Sequence, residues 1–188
     1  MSDIIRIRRV DAPGDREIHG LSDVLIDCVE GGASVSFMLP MTRAKAESFW
    51  RAVADGVSRG DRALLVAEDA QGRTVGTVQV IWAQPENQPH RADVAKMLVH
   101  RRARGRGVGA ALLDAAERAA VDAGKTLLVL DTVTNTDAYR LYSRQGWQRV
   151  GEIPNYALWP DGRPCPTTVF YKSLADTRSL ASVRKVME

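Results

Sequence analysis

His100-Arg101-Arg102-Ala103-Arg104-Gly105-Arg106-Gly107-Val108-Gly109-Ala110 is the stretch whose reading decides the fold. Upstream, Ala92 to Val99 reads as a strand. Downstream, Val108 to Ala123 reads as a helix with Ala111, Leu112, Ala115 and Ala119 on one face and Gly124 marking its end. A strand that feeds a glycine-rich turn into a helix builds an anion site. The first N–H groups of the helix have no internal partners, and the helix dipole adds partial positive charge. Glycines let the chain wrap closely around phosphate oxygens. Arg104 and Arg106 add side-chain charge, unless their guanidinium groups point to solvent and the glycines serve tight packing alone.

The phosphate could belong to a nucleoside triphosphate, a dinucleotide or coenzyme A. A P-loop needs Lys-Ser/Thr after its last glycine, and Ala110-Ala111 stands there instead. Gly105-Arg106-Gly107-Val108-Gly109-Ala110 does fit the dinucleotide pattern G-x-G-x-x-A, and Asp131 ends the next strand where a ribose-binding acid would sit. Two features oppose that reading. Five residues separate the strand from the first glycine, and the β-α-β-β remainder is too short for a second doubly wound half.

Working outward, 188 residues suit one domain with a core large enough to need no staples. Apolar residues at 45% and charged residues at 26% are globular values that exclude a disordered or fibrous chain. The longest apolar runs, Ala63–Ala67 and Leu127–Leu130, fall far short of the ~20 residues that cross a bilayer. The opening residues lack the order of a secretory signal, and Cys28 and Cys165 make neither a disulfide framework nor a metal knuckle. A reduced, cytoplasmic domain with no membrane partner and no metal is expected. The net charge is only +3, concentrated at the glycine-rich turn.

The other elements follow from periodicity. Ile4–Val10 opens as a strand; Asp15–Glu30 is an amphipathic helix through Ile18, Leu21, Leu25 and Val29. Thr42 caps a second helix that turns Phe49, Trp50, Val53 and Val57 inward and stops at Gly60. Arg62–Glu68 and Arg73–Trp82 form a hairpin about Asp69-Ala70-Gln71-Gly72. Thr126–Asp131 is apolar enough to be covered on both faces, Asp137–Gln145 is a short helix, and Trp147–Ile153 and Pro166–Leu174 are strands. The order β-α-α-β-β-β-α-β-α-β-β makes an α/β (α+β) domain, a mixed sheet with helices on both faces, over residues 1–174. Residues 175–188 read as a tail or surface helix.

Arg104-Gly105-Arg106-Gly107-Val108-Gly109 resembles the R/Q-x-x-G-x-G/A signature of the Gcn5-related N-acetyltransferases, the GNAT family. Asn135-Thr136-Asp137-Ala138-Tyr139-Arg140-Leu141-Tyr142, leading to Gly146-Trp147, is similar to the family's N-x-x-A-x-x-L-Y…G-F, with Trp in place of Phe. The resemblance covers roughly residues 3–174. It implies a mostly antiparallel sheet splayed at its middle strands, with acetyl-CoA and an amine meeting in the gap. Gly31-Gly32-Ala33-Ser34-Val35, Phe37-Met38, Gly151-Glu152-Ile153-Pro154-Asn155-Tyr156, Pro160-Asp161-Gly162 and Tyr171-Lys172 look like the tabtoxin-resistance type. Proteins of that type acetylate the amino group of a small β-lactam amino acid.

The resemblance also implies roles. The turn Arg104, Gly105, Arg106, Gly107, Val108, Gly109 and Ala110 would hold the pyrophosphate. The backbones of Met97, Leu98 and Val99 would bond the pantetheine arm, with the Met97 N–H as oxyanion donor. Asn135 and Ala138 would line that arm, and Tyr142 would be the general acid. A phenol near pKa ~10 is protonated at neutral pH and can serve a leaving thiolate whose thiol has pKa ~8.5. Packing alone is the alternative for Tyr142, as core packing is for Met97 and Val99.

A base matters because an alkyl amine of pKa ~10.4 is neutral in only about one molecule in 2,500 at pH 7. Asp131 ends the apolar strand, and Asp93 shares the parity of Met97 and Val99 on the neighbouring strand. The alternatives are a strand-end cap for Asp131 and a salt bridge to Arg91 for Asp93. Glu152 is an outside candidate; His19, His90 and His100 have no suggested partner. Phe37, Met38 and Trp50 could wall the amine pocket or belong to the core. The expected partner is a small-molecule amine, with a homodimer left open. Acetyl transfer to a protein N-terminus or lysine, or to an aminoglycoside, would need a peptide groove or an acidic cleft. An Arg/Gly-rich nucleic-acid binder would need aromatics among the arginines, and His100–Arg106 has none.

Overall fold

The computed structural model describes residues 5–82 and 84–174. The chain runs β1 (Arg6–Arg9), α1 (Asp15–Glu30), α2 (Arg43–Ser58), β2 (Arg62–Glu68), β3 (Thr74–Ile81) and β4 (Arg91–Val99). It continues through a 3₁₀ turn at Arg101–Ala103, α3 (Val108–Asp122), β5 (Leu127–Val133), α4 (Asp137–Arg144), β6 (Gln148–Leu158) and β7 (Pro164–Ser173). Among the described residues seven strands form one sheet, ordered β1-β2-β3-β4-β5-β7-β6. Every neighbouring pair is antiparallel except β4 and β5.

Strand alternation divides the core in two. Along β2, Leu64 and Val66 pack with α1 and α2, while Leu65 and Ala67 pack with α3 on the opposite face. The α1 stripe is buried through Ile18, Leu21, Leu25 and Val29. Thr42 accepts a hydrogen bond from the Lys45 backbone N–H and so caps α2.

The functional geometry comes from the middle of the sheet. β4 and β5 pair only at Arg91–Leu127, Ala92–Leu128 and Asp93–Val129, and then part. β4 stays with β3 but carries one extra residue between Ala95 and Leu98, a bulge that holds Lys96 at φ +51°. β5 remains paired with β7 up to Val133–Thr167. The gap between β4 and β5 is therefore held open by the partners outside it.

Two segments differ from the sequence reading. The strand expected over Trp147–Ile153 ends at Ile153 in the sequence reading, yet β6 continues to Leu158. It is an edge strand, and a pairing irregularity between Ile153 and Ala157 absorbs Pro154 and the positive-φ Asn155. The residues between β4 and the first glycine, read as spacer, contain the 3₁₀ turn. Ile4 of the expected first strand and the expected tail at 175–188 lie outside the described residues.

Candidate active site

The gap opens into a cleft of about 1140 Å³. Its walls include Val94 to Val99 of β4, Asp131 to Val133 of β5, the glycine-rich turn, Thr136 to Ala138 with Leu141 and Tyr142 of α4, and Gly31 to Met38 from the α1–α2 loop. That loop is tied to the far end of the β6–β7 hairpin. Ser34 Oγ donates to the Leu158 carbonyl (2.6 Å) and the Leu39 N–H to the Pro160 carbonyl (3.1 Å).

At one end of the cleft, α3 begins. Its N-cap is Gly107, at φ +76°, and no side chain caps the helix. The first N–H groups of α3 thus meet the cleft with the positive end of the helix dipole. Gly105 also lies at positive φ (+71°), and a Cβ at either glycine would meet no atom within 4 Å, so open space lies over the turn. Gly109 has a different task. A Cβ there would stand 3.0 Å from Leu141 Cδ2, so its absence lets α3 and α4 pack closely.

The turn is braced from below. Asp27, buried at the end of α1, accepts from the Arg101 backbone N–H (2.8 Å) and from Arg101 Nε. Arg104 folds back along the strand, and its Nε donates to the Val99 carbonyl at 3.0 Å. A turn so anchored, leading to an uncapped helix over open space, suits the phosphates of an elongated cofactor. Among the described residues no group of three or more His, Cys, Asp or Glu could hold a metal ion. No helix there is long and apolar enough to cross a membrane.

Known proteins agree with this geometry. The profile of the acetyltransferase (GNAT) family matches residues 34–147. The chain belongs to this family. Solved structures share the fold at low identity. A GCN5-related N-acetyltransferase from Kribbella flavida is 24% identical, with a TM-score of 0.74, over 90% of this chain and 98% of its own. The ribosomal-protein-alanine N-acetyltransferase from Brucella melitensis is 22% identical, with a TM-score of 0.74, over 90% and 99%. A phosphinothricin acetyltransferase from Sinorhizobium meliloti, solved in complex with acetyl-CoA, is 17% identical, with a TM-score of 0.73, over 93% and 89%.

The acetyltransferase brings many of the residues singled out from sequence to one cleft. Met97, Leu98, Val99, Arg104, Gly105, Gly107, Val108, Gly109, Ala110, Asp131, Ala138, Tyr142, Phe37 and Met38 all stand on its walls. Tyr142 is 5% exposed, with its ring against Trp147 and Phe170. Burial, and to a lesser degree the charge of Asp131, pushes its phenol pKa upward. Asp131 opens into the cleft. Burial raises its carboxyl pKa and the Asp93 charge adds to that rise, while Lys96 works against it.

Other residues stand elsewhere. Asp93 lies off the walls, accepting from Gln84 Nε2 (3.0 Å) and pairing with Arg91 Nη1 (3.4 Å). The extra residue in β4 is the reason. It reverses the alternation beyond Ala95, so Asp93 does not share a face with Met97 and Val99. Trp50 is 1% exposed in the core with α1, and its neighbour Phe49 packs edge-on against both Trp50 and Phe37. Asn135, at φ +62°, and Arg106 are exposed beside the cleft rather than on its walls, and Glu152 is exposed on the β6 edge.

Lys96 escaped the sequence reading. It stands on the cleft wall, donates from Nζ to Ser36 Oγ (2.9 Å), and lies 5.9 Å from the ring centres of Phe37 and Phe49. Burial lowers its ammonium pKa, and Asp131 partly restores it. Alternation places Lys96 on one face with Val94, beside apolar residues, and gives no sign of a cation turned into a pocket. Only a lysine interrupting an apolar strand hinted at it.

Proposed function

We propose that this acetyltransferase moves the acetyl group of acetyl-CoA to the primary amine of a small molecule by direct attack through a tetrahedral intermediate. One observation carries this reading: β4 and β5 part over the uncapped N-terminus of α3, with Tyr142 and Asp131 on the walls of the same gap. The α3 N–H groups and Arg104 would bind the pyrophosphate. The backbone of Met97 and Val99 would align the pantetheine arm, with the Met97 N–H at the developing oxyanion. The Val99 carbonyl already accepts from Arg104 Nε, which leaves the Met97 backbone the main polar edge for that arm.

Asp131 would anchor the ammonium of the acceptor and take its proton directly or through water. A carboxyl whose pKa is raised is a better proton acceptor than one at its ordinary value. Tyr142 has a narrower role than full proton transfer. A phenol of pKa ~10 is already a weaker acid than a thiol of pKa ~8.5, and burial widens the difference. Tyr142 would therefore stabilise the departing thiolate by a charge-assisted hydrogen bond while staying protonated.

The segments similar to the tabtoxin-resistance type, including Ser34, Phe37 and Met38 on the cleft wall, support an amino-acid-like acceptor such as a β-lactam amino acid. A screen of amines with acetyl-CoA, including amino acids and β-lactam amino acids, tests the function by thiol release and product mass. Acetylated amine with stoichiometric thiol is expected. Thiol release that no amine accelerates would contradict it.

A further inference from the structure

We propose that Lys96, with the Ser36 hydroxyl, forms an anion subsite of the acceptor pocket, so that the amine acetylated here carries a carboxylate-like oxyanion near its amino group. The proposal rests on the amine-acetylation reading and names the residue that selects the acceptor.

The geometry begins with the bulge. The extra residue in β4 turns Lys96 into the cleft at φ +51°, a backbone conformation that a β-carbon disfavours. Its Nζ then meets Ser36 from the α1–α2 loop and the rings of Phe37 and Phe49. Ser36 takes one of the three ammonium donors, and no other hydrogen bond to Nζ forms among the described residues. Lys45 lies 5.7 Å from the Phe37 ring centre, so a second cation borders the same aromatic wall. Asp131 is the carboxylate on the cleft wall whose charge acts on Lys96.

A cationic amine drawn to Asp131 would therefore approach a cleft that already holds the half-buried Lys96 ammonium. Repulsion between two like charges grows as the local dielectric falls. An acceptor carrying only an ammonium would be disfavoured. One that also carries an oxyanion fits both ends, its ammonium at Asp131 and its anion on the open donors of Lys96 beside Ser36.

The test uses the full chain saturated with CoA and titrates N-acetylglycine, N-acetylmethionine and N-acetyllysine, each against its carboxamide. Wild type is expected to bind at least one acid more tightly than its amide. Lys96→Met should weaken that acid by roughly 10-fold or more and leave the amide unchanged, while Lys96→Arg retains the preference. Ser36→Ala, in an exposed loop, should weaken the acid by a smaller factor. Equal affinities for every acid and amide in wild type, or an acid preference that survives in folded Lys96→Met, would overturn the subsite. Thiol release with amino acids and their amides separates the two claims. Turnover that ignores both the carboxylate and Lys96 overturns the subsite and leaves acetyl transfer standing; absence of acetyl-CoA binding in wild type overturns acetyl transfer itself.

Discussion

Asp93 on β4 and Val129 on β5 are the last residues these two strands pair, and the cleft begins beyond them. β4 then bulges at Lys96 while remaining on β3, and β5 continues along β7, so neither strand can close the gap without breaking its outer pairing. The site is built into the sheet.

Asp27 braces the anion turn from α1. Asp27→Ala removes the acceptor for the Arg101 backbone N–H, and a loss of about 1–3 kcal/mol in stability is expected for the unsatisfied donor. Acetyl-CoA affinity should fall with it, because the turn loses its support. Denaturant melts and cofactor titration of the same preparation check this; unchanged affinity would detach the brace from the site.

Tyr142→Phe removes only the hydroxyl. A hydrogen bond to a charged group is worth about 1.5–3 kcal/mol, so kcat should fall roughly 10- to 150-fold with little change in acetyl-CoA Kd. Wild-type kcat, with chemistry rate-limiting, would make Tyr142 a packing residue.

Asp131 carries a stability cost with a definite sign. Its folded pKa is raised, so its contribution is full below the ordinary carboxylate range and is lost as pH rises through the raised value. Asp131→Asn should therefore melt at or above wild type at pH 7, with the difference fading below pH ~4, while activity drops about 10²-fold. A lost base leaves a residual rate that climbs with pH as the amine deprotonates by itself; a lost anchor raises the amine KM at every pH. Wild-type kcat/KM from pH 6 to 9.5 would remove Asp131 from the mechanism.

Trp50 belongs to the core. Trp50→Ala should cost about 3–5 kcal/mol through the cavity it leaves. Trp50→Phe should stay folded with an amine KM close to wild type. A selective rise in that KM would return Trp50 to the acceptor pocket.

Much of this was legible in the sequence. Residues repeating at three- and four-residue spacing set α1 to its observed ends, and Gly105 and Gly107 occupy the positive-φ positions their type suits. The glycine signature together with the Asn135–Tyr142 segment pointed to the acetyltransferase fold and to most of the cleft wall. What escaped traces to irregular pairing. A bulge at a lysine has no sequence mark, so the parity that put Asp93 beside Met97 failed and Lys96 went unnoticed. Pro154 lies just beyond the strand end expected at Ile153, yet an edge strand has no second neighbour for its missing N–H to disappoint.

The account stands on the α3 N-terminus as the acetyl-CoA phosphate site, and Gly107→Asp tests it most directly. At φ +76°, with nothing within 4 Å of a built Cβ, the aspartate would extend its carboxylate into the space assigned to phosphate. Acetyl-CoA should bind wild type and raise its Tm, since it contacts the folded turn and not the unfolded chain. Gly107→Asp, shown to be folded by circular dichroism, should lose both effects. Wild-type acetyl-CoA affinity in the folded variant would contradict the assignment.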